Sequence, residues 1–327
     1  MSELLPQPLA TALEKRGAIP FSQFCRIALY DENDGYYQKE KLRVGSSIEA
    51  DFTTNLSVQS TFVPLVFESV CSLLGRTDVS DYHFIEVGAE PNQSSFKGLA
   101  PNFAEVSSIG VSDSFPSLTG KVVLFANEWL DAQPFVRLVF TNGEWREVFV
   151  ERLKEGGLVE KLYQVQSKDG LSLEARLPRE MPEGYRVDLS MEVAGVLGEY
   201  LKQPWEGLFL TFDYGSSWES LIRQMPDGSG RAYRKQRLST NLLDDPGESD
   251  LTCNVCWDDV KESLELEGFT VDGPERQESF FLNHASQRVR AIIEGKDDPD
   301  GGSKRRLMQI LHPANFGAAF QVLWGLR

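Results

Sequence analysis

The chain is poor in the residues that build metal centres and disulfide frameworks. It has four cysteines and three histidines in 327 residues. Cys25, Cys71, Cys253 and Cys256 are too few and too scattered for a disulfide-stapled fold, so a reducing, cytoplasmic setting is expected. His83, His284 and His312 stand isolated. The C-x-x-C pair at 253 and 256 is half of a zinc ligand set with no second half, so no metal is expected and apolar packing is the simpler use of both thiols. No run of 18 or more apolar residues occurs, so no membrane span is expected. The first 17 residues carry no apolar core of signal-peptide type, being interrupted by Glu14, Lys15 and Arg16. Basic residues are also scarce: 33 against 49 acidic ones, a net charge of −16. Such a surface repels nucleic acid and anionic membrane, and neither is expected as a partner.

What the chain does have is length and an ordinary apolar fraction, 41%. That is enough for one large domain with an elaboration, or two modest ones. Residues 1–80 read as a mainly helical region, with helices over 21–30 and 58–74. From 82 onward short apolar runs separated by turns take over, at 82–87, 121–126 and 208–212. They are mostly apolar rather than alternating, which suits parallel strands covered on both faces. Residues 103–109 are strand-like, and 320–324 reads as a closing strand. Asn142-Gly143 between 135–140 and 145–150 predicts a tight hairpin. Helices are expected over 187–202 and 258–268, and a loop over 297–306. The basic cluster Arg231, Arg234, Lys235 and Arg237 reads as a solvated loop balanced by Asp244, Asp245 and Glu248.

Three of the apolar runs end in acidic or amide residues: Glu86-x-Gly88, Asn127-Glu128-Trp129-Leu130-Asp131, and Asp213-Tyr214-Gly215. One such end is usually a helix cap. Three together point to a ligand crevice, because open α/β sheets bind ligands beyond the carboxyl ends of their strands. The turn after the first run departs from a phosphate- or nucleoside-cradling loop. Glu90 stands where a second glycine would let a ligand approach the backbone.

The ordered set of motifs resembles the MidA family of S-adenosylmethionine-dependent methyltransferases, whose mitochondrial member methylates an arginine of a respiratory complex I subunit during assembly. The matching segments are Gly17-Ala18-Ile19-Pro20-Phe21, residues 26–30, Gly35-Tyr36-Tyr37, Asp51-Phe52-Thr53-Thr54, Ala126-Asn127-Glu128-Trp129-Leu130-Asp131-Ala132-Gln133-Pro134, Asp213-Tyr214-Gly215, Gly230-Arg231-Ala232-Tyr233 and Pro246-Gly247-Glu248 with Asp250-Leu251-Thr252. The resemblance implies a class I methyltransferase-like α/β fold, Rossmann-like, with a mostly parallel sheet and helices on both faces. It also implies an N-terminal helical cap over 1–80, a methyltransferase-like domain over 81–327 and an insertion around 151–205. S-adenosylmethionine is the implied cofactor, with Glu86, Gly88, Asp51, Thr53, Thr54, Tyr37, Asn127 and Asp213 as its binding residues and Tyr36 beside Tyr37 as pocket wall. Glu128, Asp131 and Asn127 are the implied catalytic set. A methyl acceptor must be held in line with an already activated sulfonium, which is mainly positioning. An arginine acceptor needs a carboxylate to grip its guanidinium. The implied partner is a protein, as substrate or as assembly client.

The departures are specific. The family's Glu-x-Gly-x-Gly-x-Gly is reduced here to Glu86 and Gly88. Asn55-Leu56-Ser57 stands where Ser-Pro-Glu is usual, the stretch 92–120 is short, and Asn254 and Cys256 replace a His and an Asp. Two readings therefore stand side by side: a protein methyltransferase, and a methyltransferase-derived binding or assembly protein. A third is an enzyme that has exchanged its cofactor for another nucleoside-like ligand.

Overall fold

The structure is a computed structural model that describes residues 5–39, 55–89, 95–235, 237–239, 241–298 and 301–327. The chain divides into two compact units, each assembled from three separate stretches. One contains Met1–Lys41, Leu130–Val196 and Gly215–Val260; the other contains Leu42–Trp129, Leu197–Tyr214 and Lys261–Arg327.

The second unit is built on a six-stranded sheet of β1 (Val79–Val87), β2 (Phe103–Ile109), β3 (Gly120–Asn127), β4 (Trp205–Asp213), β5 (Thr270–Arg276) and β6 (Gln321–Leu326), in the order β5-β6-β4-β3-β1-β2. Strands β2, β1, β3 and β4 run parallel. The closing strand β6 is antiparallel to both β4 and β5. The largely apolar runs of β3 and β4 are buried along almost their whole length, as a central parallel strand requires. One face carries Phe84, Val123, Phe125, Leu208, Leu210 and Phe212 in a large apolar cluster. Among the described residues the segment Asn55–Leu73 is long and apolar enough to cross a membrane by length and composition. Phe62, Leu65, Val66 and Val70 of its helix Gln59–Leu73 are fully buried in that same cluster, the work of a core helix. The stretch expected as a loop over 297–306 turns helical at Ser303 and continues to Leu311, because Leu307 and Ile310 give it a buried side.

The first unit holds a five-stranded sheet around the hairpin Val136–Thr141 and Glu144–Arg152, whose turn residues Asn142 and Gly143 both take positive φ as the Asn-Gly signal predicts. The start of the segment expected to be helical over 187–202 is a strand, Arg186–Leu189, paired with Val136–Thr141. Its Val187, Asp188 and Leu189 are all buried, and Asp188 is held by an arginine, so a helix-like apolar spacing was the wrong guide there. The basic segment is likewise no loop: Arg231–Arg234 and Arg237–Ser239 pair as an antiparallel hairpin, and Arg231–Arg234 pairs on its other side with Asp250–Thr252. Arg234 is ion-paired with Asp245.

Candidate functional site

Three neighbouring parallel strands of the second unit deliver the candidate residues at their carboxyl ends: Glu86 and Gly88 from β1, Asn127 and Glu128 from β3, Asp213 from β4. Glu86 is 4% exposed, and among the described residues its Oε2 has no hydrogen-bond partner. Burial pushes its carboxyl up from the ordinary value to about 7. A buried acceptor with an unmatched oxygen at a strand end is the kind of group a ligand's hydroxyl or ammonium completes.

Gly88 takes φ +75°, and its N–H shares the Ile109 carbonyl with that of Ala89, at 2.9 and 3.0 Å. A Cβ at Gly88 would lie 2.7 Å from Cδ1 of Trp129. The glycine is therefore required twice, by its backbone angle and by the indole packed on it. Trp129 meets the Tyr200 ring edge-on at 5.9 Å. Gly88→Ala is expected to cost roughly 2 kcal/mol in thermal or urea unfolding. Combining it with Trp129→Ala should recover only the steric share, and full recovery would mean that the positive φ is harmless.

Glu128 is a non-glycine residue at φ 52°, its N–H donating to the Phe212 carbonyl at 2.9 Å. A left-handed glutamate costs about 1 kcal/mol or more and persists where the surroundings demand it. Its Oε1 accepts from Asn127 Nδ2 at 3.0 Å. Asn127 Oδ1 in turn accepts from Asn55 Nδ2 at 3.3 Å. Asn55 and Gln277 exchange two hydrogen bonds, 2.7 and 3.0 Å, and Gln277 Nε2 also donates to the Ile310 carbonyl at 2.9 Å. Asn55 and Gln277 are completely buried. Neither was singled out as a site residue from the sequence, although Asn55 was visible as a departure from the Ser-Pro-Glu pattern. Asp213 is also fully buried and accepts from the Tyr214 backbone N–H at 2.8 Å, with the Tyr214 ring 4.1 Å from that of Phe320.

Two of the expected residues belong to the first unit. Tyr37 donates its hydroxyl to Asp250 Oδ1 at 2.7 Å, stacks on Tyr30 and meets Tyr36 edge-on. Burial, then the Asp250 charge, hold the Tyr37 hydroxyl well above its ordinary pKa. Asp131 is 4% exposed, and its carbonyl accepts from the Cys253 N–H at 3.0 Å. Cys253 and Cys256 are buried free thiols; burial raises both, Cys256 to about 12. Thiols so far from ionisation are suited to packing rather than to nucleophilic or redox chemistry. No cluster of metal-ligating side chains is present among the described residues. Asp51, Thr53, Thr54 and Glu90 lie outside the described residues.

A family model described as "Putative S-adenosyl-L-methionine-dependent methyltransferase" matches residues 75–275. The sequence is 27% identical over 217 residues to the protein arginine methyltransferase NDUFAF7 homolog, mitochondrial, of Drosophila melanogaster. That match covers 62% of this chain and 47% of the fly protein, so the aligned part spans about half the length of the curated relative. Among solved structures, a COG1565 superfamily member from Burkholderia thailandensis bound to S-adenosyl-homocysteine superposes with a TM-score of 0.83 at 20% identity, covering 98% of this chain and 91% of that one. A native COG1565 structure from the same organism gives 0.81 at 20% identity, with 98% and 90% covered. At this identity the likeness establishes a shared fold.

Proposed function

This chain belongs to the S-adenosyl-L-methionine-dependent methyltransferase family whose model it matches, and on that footing we propose that it binds S-adenosylmethionine and methylates a protein, at an arginine side chain. The observation that carries the reading is Glu86. A buried carboxyl with an unmatched oxygen fits a cofactor that brings ribose hydroxyls and an α-ammonium as donors. Asp213 and Asn127, at the ends of the neighbouring strands, complete the proposed cofactor contacts, with Gly88 at the turn. When bound, the cofactor supplies an electrophilic methyl group. The chain's own task is to hold the acceptor nitrogen in line and keep its charge matched. Glu128 is the carboxylate proposed to grip the guanidinium, and Asn127 fixes that carboxylate through the 3.0 Å hydrogen bond to Oε1. The arginine acceptor is suggested by the name of the fly relative.

The test is calorimetric titration with S-adenosylmethionine and S-adenosylhomocysteine, on the native chain and on Glu90→Gly. Micromolar binding by the native chain is expected. A second reading, a methyltransferase-derived assembly or binding protein, draws on the Trp129 indole packed against Gly88 and on Glu90 in place of a glycine. Binding only after Glu90→Gly would favour it, and binding by neither protein would end the enzyme reading. If the native chain binds, Glu128→Gln should leave affinity for S-adenosylhomocysteine within about twofold. It should also lower labelled-methyl incorporation into arginine peptides by roughly 10²-fold or more. Unchanged incorporation would remove Glu128 from the catalytic set.

A further inference from the structure

Glu128 and Asn127 are not held by their own strand alone. A continuous buried line of side-chain amides runs behind them, and its direction of donation is set at the far end. The Ile310 carbonyl can only accept, so Gln277 Nε2 must be the donor to it, at 2.9 Å. That leaves Gln277 Oε1 as the acceptor for Asn55 Nδ2 at 2.7 Å, while Asn55 Oδ1 accepts from Gln277 Nε2 at 3.0 Å. The same Asn55 Nδ2 reaches Asn127 Oδ1 at 3.3 Å. With its oxygen committed inward, Asn127 has only its Nδ2 to present to Glu128, at 3.0 Å. Neutral groups thus transmit an orientation from a helix backbone to a carboxylate without burying a further charge.

We propose that Asn55 and Gln277 are positioning residues of this site, which hold the Asn127 carboxamide in one orientation and through it fix the Glu128 carboxylate. The proposal rests on the reading of Asn127 and Glu128 given above for its function, but not for its geometry. Gln277 comes from the first turn of the helix Gln277–His284, and Asn55 from the short 3-10 turn Asn55–Val58. Both are fully buried, as is every hydrogen bond between them. A purely structural pair would need only each other. The additional donation to Asn127 is what ties the pair to the strand end.

The test uses the full chain, with Gln277→Leu and the milder Asn55→Ser, and a matched core variant, Phe281→Leu, as a control for lost stability. The first readout is the side-chain amide signal of Asn127 in the ligand-free protein, labelled at asparagine nitrogen and assigned by its loss in Asn127→Asp. The proposal expects two well-separated, slowly exchanging protons in the native chain and in Phe281→Leu, and merged, fast-exchanging ones in both network variants. An Asn127 signal unchanged by Gln277→Leu and Asn55→Ser would overturn it. The second readout is affinity for S-adenosylhomocysteine, expected to fall roughly tenfold or more in the network variants and to hold in the control. Equal loss in all three variants would reduce the pair to a stability role and overturn the proposal. If the native chain does not bind, the functional reading fails, and the amide signal still decides whether the orientation is transmitted.

Discussion

Replacing Arg137 with methionine is expected to lower the stability of the first unit by about 3–5 kcal/mol. Arg137 is 5% exposed and Asp188 2%. The guanidinium donates from Nε to Asp188 Oδ1 at 2.8 Å and from Nη2 to Oδ2 at 3.1 Å, with Nη1 on Glu160 Oε1 at 2.6 Å. Burial alone would ease the proton off the arginine. The Asp188 and Glu160 carboxylates outweigh it and hold the group above its ordinary pKa. Methionine keeps most of the packing but leaves Asp188 as an uncompensated buried charge, with the Gly230 N–H at 2.8 Å as its remaining donor among the described residues. The cost is therefore that of the orphan rather than the net worth of the pair, and Arg137→Met with Asp188→Asn should recover most of it. Urea midpoints of the two single variants and the double variant measure this. A double variant no more stable than Arg137→Met would sink the explanation. High salt should change little, since screening acts weakly on a buried pair.

That ion pair also shows where sequence patterns stop. The parallel strands were legible because a strand buried on both faces must be mostly apolar along its length, as Val122 to Ala126 and, but for Thr211, Leu208 to Phe212 are. The hairpin was legible because Asn142-Gly143 is local chemistry. The strand at the start of the 187–202 segment was misread because Val187 and Leu189 lead directly into the apolar helix Val193–Leu201 and share its composition. Only the fold brings Asp188 to Arg137, 51 residues away. The helix starting at Ser303 was missed because Gly301, Gly302 and the charges of Lys304 to Arg306 hide the one buried side that Leu307 and Ile310 provide. For the site, the strand-end acids Glu86, Glu128 and Asp213 could be read from position alone, since a strand's carboxyl end is a local feature. Asn55 and Gln277 could not. Their pairing joins positions 222 residues apart, and an isolated Asn or Gln carries no periodic signal.

Glu86→Gln should stabilise the ligand-free protein above neutral pH and do nothing in acid. The carboxyl sits near pH 7 in the folded chain against an ordinary 4.5, because burial disfavours its charge. A raised acid pKa means that the folded state keeps a proton the unfolded state has released between those two values. Stability therefore falls as pH rises through that window, is unaffected below it, and carries the full penalty above it. A shift of this size corresponds to about 3 kcal/mol, an upper figure for a group that can relax. Glutamine has the same shape and no charge, so unfolding curves of the two proteins should meet near pH 4.5 and separate by up to that amount near pH 8.5. Curves that run parallel across the range would mean the carboxyl titrates normally. The same residue then distinguishes the two functional readings. A ligand whose hydroxyl or ammonium meets Oε2 favours the ionised carboxylate, so S-adenosylhomocysteine should bind more tightly as pH rises through 7, and the dependence should vanish in Glu86→Gln. A protein that had abandoned the cofactor would carry an expensive charge at a strand end with nothing to meet it, a local cost that folded chains normally retain only where a site uses it. Binding that is strong yet indifferent to both pH and Glu86→Gln would place the ligand elsewhere than on this carboxyl.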